Sequence, residues 1–127
     1  MNRTLLRRLR SWTVPLAIGL FSLVPAAGGA AARGSAQYEP ATLETGQAWR
    51  LLTAHLVHLN WGHVGLNVVA LVLIALLFED LLSPLDWLAA TVLAALAIDL
   101  GLYVWNNDVQ WYVGLSGVLH GYVVLGI

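Results

Sequence analysis

The chain has no cysteine and few charged residues, and each shortage excludes a class of protein. Without cysteine there are no disulfides and no thiolate metal sites, and the redox compartment stays open. Only 10% of the 127 residues are charged and 59% are hydrophobic, whereas a soluble domain is about 25% charged and about 45–50% apolar. So few charges could not cover a small globule, so we expect a protein embedded in the lipid bilayer.

The net charge argues against a second class, proteins that bind polyanions. The net charge is −1, which does not suggest a polyanionic ligand, and we expect no nucleic-acid partner. What the chain has in abundance is apolar sequence and tryptophan. Its six tryptophans suit a protein that crosses lipid–water interfaces several times.

Long apolar runs predict an all-α, polytopic transmembrane helical bundle within one membrane domain, residues 1–127. A helix of roughly 20 apolar residues crosses a bilayer. An interfacial loop covers residues 33–59, where aromatic, basic and histidine residues are too dense for a lipid-facing span. The predicted spans are about 12–32, 60–78, 85–105 and 110–127.

The N-terminus sets the predicted orientation. Four basic residues precede the first span, so the N-terminus is expected in the cytoplasm, residues 33–60 and 106–110 outside, and 79–84 inside. An alternative is a signal peptide with its apolar core at 14–24 and small residues at 26–32 for cleavage. The basic residues are Arg3, Arg7, Arg8 and Arg10.

The last apolar run stops abruptly. From Trp111 to Ile127 it is long enough for about 25 Å of helix, barely a crossing, and no polar flank follows. We therefore expect the chain to be the N-terminal part of a longer protein.

Two polar pairs interrupt the apolar spans. His63 and Asn67 lie four residues apart in the second span, and Ser116 and His120 lie four apart in the fourth. Alternation of the spans puts both pairs at similar depth near the outer face. Polar groups in spans are costly and mark sites. Together they supply a nucleophile and oxyanion donors for acyl transfer.

Ser116 also has a simpler interpretation. Gly117 and Gly121 provide the small-residue spacing that lets helices approach closely, and a serine beside them could serve only packing. The sequence is not a G-x-S-x-G elbow, because Val118 stands where the last glycine should be, so an α/β-hydrolase is disfavoured.

Histidines in the loop leave a metal or haem alternative open. His55, His58 and His63 could be ligands, although no HExxH pattern accompanies them. For His55 alone, an exposed interfacial position is the expectation. His58 is expected to pack under the site or to hydrogen-bond the loop.

Two further charged residues are expected to have specific roles. Asp99 lies inside the third span, as a structural hydrogen-bond partner or a proton carrier. Arg50, beside Trp49, is expected to anchor the loop through carbonyls or Glu44.

From about residue 47 to the end, the chain resembles the rhomboid family of intramembrane serine proteases. Trp49-Arg50, Thr53, His58, His63 and Asn67 are similar to the family's WR…H…HxxxN motif. Gly114-Leu-Ser116-Gly117 is similar to its GxSG motif. The form Gly-Leu-Ser-Gly-Val-Leu-His-Gly further resembles the rhombosortase branch, bacterial rhomboids that process proteins with C-terminal sorting tails.

The resemblance implies a six-helix core, of which this chain holds four spans, and Ser116 as the nucleophile. His63, Asn67 and the Ser116 backbone N–H would hold the oxyanion, with Leu115 N–H as a possible addition, while Gly114 keeps the region open. Supporting residues would be Gly117, His58 and His120, which stands where the family often has a tyrosine. The family's base is a histidine on the sixth helix, absent from this chain, so these 127 residues alone are expected to be inactive.

The implied activity is cleavage of transmembrane or C-terminal sorting segments of membrane-anchored proteins near the outer face. The implied place is a bacterial inner membrane, with the active site toward the periplasm and no cofactor. The alternative within the same fold is a non-catalytic rhomboid-like protein that binds membrane helices.

Overall fold

The computed structural model describes residues 2–106 and 108–127, and within them regular structure is helical apart from one isolated β-bridge. The chain is long and apolar enough to cross a membrane at Arg3–Ala27, Trp61–Phe78 and Pro84–Trp105, and a shorter apolar helix follows. The predicted all-α membrane bundle is confirmed. In chain order the helices are α1 (Arg3–Ser11), α2 (Thr13–Ala27), α3 (Gly29–Ala36), α4 (Pro40–Glu44), α5 (Arg50–Thr53), α6 (Trp61–Phe78), α7 (Pro84–Trp105) and α8 (Ser116–Gly126).

The first apolar run does not continue as one helix to residue 32. Helix α2 ends at Ala27, and Gly29 has φ +60°, a left-handed conformation that favours glycine. The chain therefore bends there, and α3 leads away from α2. At the other end the helical stretch starts at Arg3, earlier than the predicted residue 12, because α1 runs almost directly into α2.

Helix α1 is fastened to the loop between α6 and α7. The Arg8 guanidinium contacts the Asp80 carboxylate at 2.6 Å and the Glu79 carboxylate at 3.3 Å. Trp12 Nε1 donates to Glu79 Oε2 at 2.8 Å. These contacts bring the N-terminus and the 79–83 loop to the same end of the bundle.

Arg50 holds together the segment between α2 and α6, residues 28–60. Its Nη1 donates to the carbonyls of Gly34 (2.9 Å) and Gln37 (2.8 Å), and its Nε donates to Gln47 Oε1 (2.8 Å). Anchoring through loop carbonyls is thus confirmed, and Glu44 is not the partner. Thr53 adds a bond from its hydroxyl to the Ala36 carbonyl at 2.8 Å.

Two side chains define where the long helices start. Asn60 caps α6 by accepting a hydrogen bond from His63 N–H at 2.9 Å. Ser83 and Asp86 form a reciprocal capping box before Pro84 at the start of α7. Helix α6 therefore begins at Trp61 and helix α7 at Pro84.

Helix α8 packs against both α6 and α7. Its inward residues join a core with Leu71, Phe78 and Trp87, in which Trp87 meets the Tyr122 ring edge-on with centroids 4.8 Å apart. A Cβ on Gly121 would lie 2.6 Å from the Ala94 Cβ, and one on Gly117 would overlap Ile98. These two glycines therefore let α8 approach α7 closely.

Residues 110–115, predicted as part of the fourth span, are not helical. Tyr112 pairs with Tyr38 through two backbone bonds, with N···O distances of 3.0 and 3.1 Å. Gly114 has φ +114° and donates its N–H to the Ala54 carbonyl at 2.9 Å. This pairing with the loop keeps the segment extended, so α8 begins only at Ser116.

Candidate active site

A groove of about 410 Å³ runs between α6 and α8. Farther along both helices the groove is apolar, with Ile74 and Val123 among the lining residues. Its polar end brings together both pairs singled out from the sequence: His63 and Asn67 from α6, and Ser116 and His120 from α8.

His63 presents one ring nitrogen to the residues before Ser116. Its Nδ1 accepts a hydrogen bond from Leu59 N–H at 3.3 Å. In the neutral ring this leaves the hydrogen on Nε2. A Cβ on Gly114 would lie 3.1 Å from that Nε2. The glycine therefore leaves room for the imidazole, whose free N–H can act as a donor.

Asn67 lies one turn below His63 and is buried. Its Nδ2 donates one hydrogen to the His63 carbonyl at 2.9 Å. An amide nitrogen carries two hydrogens. The second remains for an acceptor in the groove.

Ser116 is exposed and is the first residue of α8. The backbone N–H groups of the first turn lack intrahelical partners, and the helix dipole makes this end favourable for negative charge. The Tyr112 hydroxyl donates to the Gly114 carbonyl, two residues before Ser116, at 3.2 Å. The position suits a nucleophile whose attack creates an oxyanion.

His58 supports the segment before Ser116 from beneath. Its Nε2 accepts from Leu115 N–H at 3.3 Å, so its Nδ1 carries the hydrogen, 3.2 Å from the Leu56 carbonyl. Its ring meets His63 edge-on with centroids 4.9 Å apart. Burial, with His63 close by, lowers the pKa of His58 to about 4. The expectation that His58 would hydrogen-bond the loop is confirmed by its contact with Leu56.

His120 is bound to the backbone and not to the serine hydroxyl. Its Nδ1 lies 2.7 Å from the Ser116 carbonyl oxygen, which can only accept, so Nδ1 carries a hydrogen. The ring is exposed in the groove. The contact holds His120 over the first turn of α8, next to Ser116.

The expectation of an exposed His55 is wrong. His55 is buried, and its Nε2 lies 3.2 Å from Asp99 Oδ1, with the two side chains 3% and 5% exposed. Its ring also contacts Tyr112, with centroids 5.6 Å apart. The pair joins the segment after α5 to α7, next to the segment from Tyr112 to Ser116. Sequence reasoning missed it because 44 residues separate its members.

His55, His58 and His63 each have separate hydrogen-bonding partners. His55 pairs with Asp99, His58 with Leu56 and Leu115, and His63 with Leu59. Across residues 2–106 and 108–127, no group of three or more histidine, aspartate or glutamate side chains is arranged to hold a metal ion.

Fold and site together define a membrane-embedded helical protein whose groove combines a serine at a helix start with two side-chain N–H donors. The chain matches the family model of the Rhomboid domain over residues 45–126. It therefore belongs to the rhomboid family, a family of intramembrane serine proteases. No curated protein and no solved structure matches the chain.

Proposed function

We propose that this protein is an intramembrane serine endopeptidase with Ser116 as its nucleophile. The observation that carries the proposal is the shared groove. Ser116 at the start of α8 faces the same cavity as His63 and Asn67 on α6. Membership of the rhomboid family gives independent support.

In the proposed reaction, Ser116 Oγ attacks the carbonyl carbon of a peptide bond, and its proton passes to a histidine base. The new oxyanion accepts hydrogen bonds from His63 Nε2–H, the second Asn67 Nδ2–H and Ser116 N–H. Breakage of the C–N bond returns the proton to the leaving amine and leaves an acyl ester on Ser116. Water then hydrolyses this ester and restores the serine.

The base is proposed to be a histidine outside residues 1–127. Each histidine of the described chain already has another role. His58 gives its Nε2 lone pair to Leu115, and His55 is buried against Asp99. His63 is a donor toward the groove, and His120 is bound to the Ser116 carbonyl. We propose that His120 supports the base from this position.

The shape of the groove suggests the substrate. An apolar trough that ends in polar donors suits a membrane segment whose upper end unwinds near the outer face. We propose substrates anchored by a transmembrane segment, including C-terminal sorting segments as in the rhombosortase branch. The proposed location is a bacterial inner membrane with the N-terminus in the cytoplasm and the site toward the periplasm.

The proposal is tested with Ser116→Ala in the full-length protein. Cleavage of a co-expressed protein with one transmembrane segment should be lost, because the variant has no nucleophile. The matched control is Ser35→Ala, which removes a serine hydroxyl from an exposed position in α3. Unchanged cleavage by Ser116→Ala would sink the proposal.

A non-catalytic rhomboid-like protein that binds membrane helices is the second candidate. It is favoured by one observation: within residues 2–106 and 108–127, no histidine hydrogen-bonds the Ser116 hydroxyl. A fluorophosphonate probe separates the two. Labelling of the full-length protein at Ser116 supports the protease, whereas absence of labelling with intact substrate binding supports the second candidate.

A further inference from the structure

Helix α1 carries more positive charge than its contacts use. Arg8 faces the acids of the 79–83 loop. Arg3, Arg7 and Arg10 lie at helical spacings of four and three residues, which places them along another side of the helix. None of these three forms an ion pair with an acid of the described chain, and all three are exposed.

These three arginines line a cavity of about 470 Å³ between α1 and the start of α7. Leu6, Leu82 and Ser83 line it as well. Guanidinium groups bind phosphate through paired, charge-assisted hydrogen bonds. Leucine side chains beside them offer apolar contact to the first carbons of a lipid. The lining therefore matches an amphiphile with a phosphate head.

Acids near the cavity are already engaged. The Asp80 and Glu79 carboxylates contact Arg8. One Asp86 carboxylate oxygen accepts from Ser83 N–H at 2.8 Å in the capping box of α7. With Arg8, the three arginines carry four positive charges against these three carboxylates, so an excess of positive charge remains at the cavity.

The cavity also lies where a lipid headgroup would be. Helix α1 leads directly into the apolar helix α2, and α7 starts at the same end of the bundle. A cluster of arginines at the end of a span marks the cytoplasmic side, where the leaflet carries anionic lipids. We propose that this cavity binds the phosphate headgroup of an anionic phospholipid. The proposal is independent of the chemistry at Ser116.

Native mass spectrometry of the detergent-solubilised protein tests the site. We expect tighter binding of dioleoyl phosphatidylglycerol than of dioleoyl phosphatidylcholine. Arg3→Gln, Arg7→Gln and Arg10→Gln should each weaken phosphatidylglycerol binding about fivefold, the ratio given by the ~1 kcal/mol that one arginine contributes near an anionic surface. Arg33→Gln, which removes the same charge from α3, away from the cavity, should leave the affinity unchanged.

A second variant keeps every arginine. Leu81 is exposed and also lines the cavity, so Leu81→Asp should weaken phosphatidylglycerol binding by repulsion without touching the salt bridges of Arg8. Equal affinity for the two lipids, or equal effects of Arg7→Gln and Arg33→Gln, would overturn the proposal. Inorganic phosphate that binds as tightly as phosphatidylglycerol would also overturn it, because the cavity would then recognise the free anion and not a lipid.

Discussion

The His58 ring and the Leu115 backbone are joined by a hydrogen bond of 3.3 Å, with Leu115 N–H as donor. This hydrogen bond joins the segment between α5 and α6, which contains His58, to the residue directly before Ser116. The same bond occupies Leu115 N–H, which the sequence suggested as an additional oxyanion donor. The donors left for an oxyanion are Ser116 N–H and the side chains of His63 and Asn67. The bond also requires a neutral His58.

This requirement makes stability depend on pH. Burial lowers the pKa of folded His58 to about 4, whereas an unfolded histidine has a pKa of about 6.5. Between these two pKa values only the unfolded state takes up the proton. The stabilisation that His58 contributes is therefore complete above about pH 6.5 and is lost as the pH falls toward 4. We expect a loss of about 2–3 kcal/mol across this window, measured by unfolding in mixed micelles.

His58→Gln is the matched variant for this experiment. Its amide oxygen can still accept a bond from Leu115 N–H, but it does not titrate. The unfolding free energy should therefore change less steeply with pH in the variant between about pH 4 and pH 6.5. The same slope in both proteins would contradict a role for His58.

Gly114 should not tolerate a side chain. Its φ of +114° strains any L residue, and a Cβ would lie 3.0 Å from the His63 ring. Gly114→Ala is expected to lower the free energy of unfolding by roughly 2–3 kcal/mol and to abolish cleavage. Gly65→Ala, in α6 with open space around the site of its Cβ, should instead stabilise by about 0.5–1 kcal/mol. Equal effects of the two variants would refute this view of Gly114.

The buried pair of His55 and Asp99 predicts strong coupling. Asp99→Leu leaves His55 without its partner in a dry environment, and His55→Leu does the same to Asp99. Each single variant should lower the unfolding free energy by about 3–5 kcal/mol. The double variant should cost much less than the sum, because it leaves no unpaired group. Additive effects in this double-mutant cycle would show that the two side chains do not interact.

The two side-chain donors should affect the rate of cleavage and not folding. His63→Phe and Asn67→Ala each remove one donor to the oxyanion, so cleavage by the full-length protein should fall about 10²–10³-fold. Leu66→Ala alters the apolar lining of the same groove and should change the rate far less. The measurement is initial cleavage rate, with the unfolding midpoint as the folding control. Normal rates in both donor variants would remove them from the mechanism.

The features of this protein that depend on residues close together in the sequence could be predicted from the sequence. The apolar runs predicted the all-helical class, and spacings of four residues predicted which side chains share a helix face. Alternation of the spans then predicted that the pairs His63–Asn67 and Ser116–His120 lie at similar depth. In the structure all four side chains line one groove. Asn60 and Ser83 carry their capping signal in the residue type itself, so the starts of α6 and α7 were predictable.

The rest depended on partners distant in sequence. Residues 110–115 are apolar enough for a helix, but backbone pairing of Tyr112 with Tyr38 keeps them extended. His55 looked like a surface residue because Asp99 lies on another helix. Hydropathy indicates whether a segment favours lipid. It does not indicate which backbone carbonyl or side-chain carboxylate will be the segment's hydrogen-bonding partner.

The cap at Asn60 has one further consequence. It fixes the first turn of α6 through His63 N–H, and Trp61 is the first residue of the helix. At about 1.5 Å per residue, His63 lies ~3 Å and Asn67 ~9 Å along the axis from that tryptophan. The start of α6 thus fixes how far along the helix axis both polar side chains lie from Trp61.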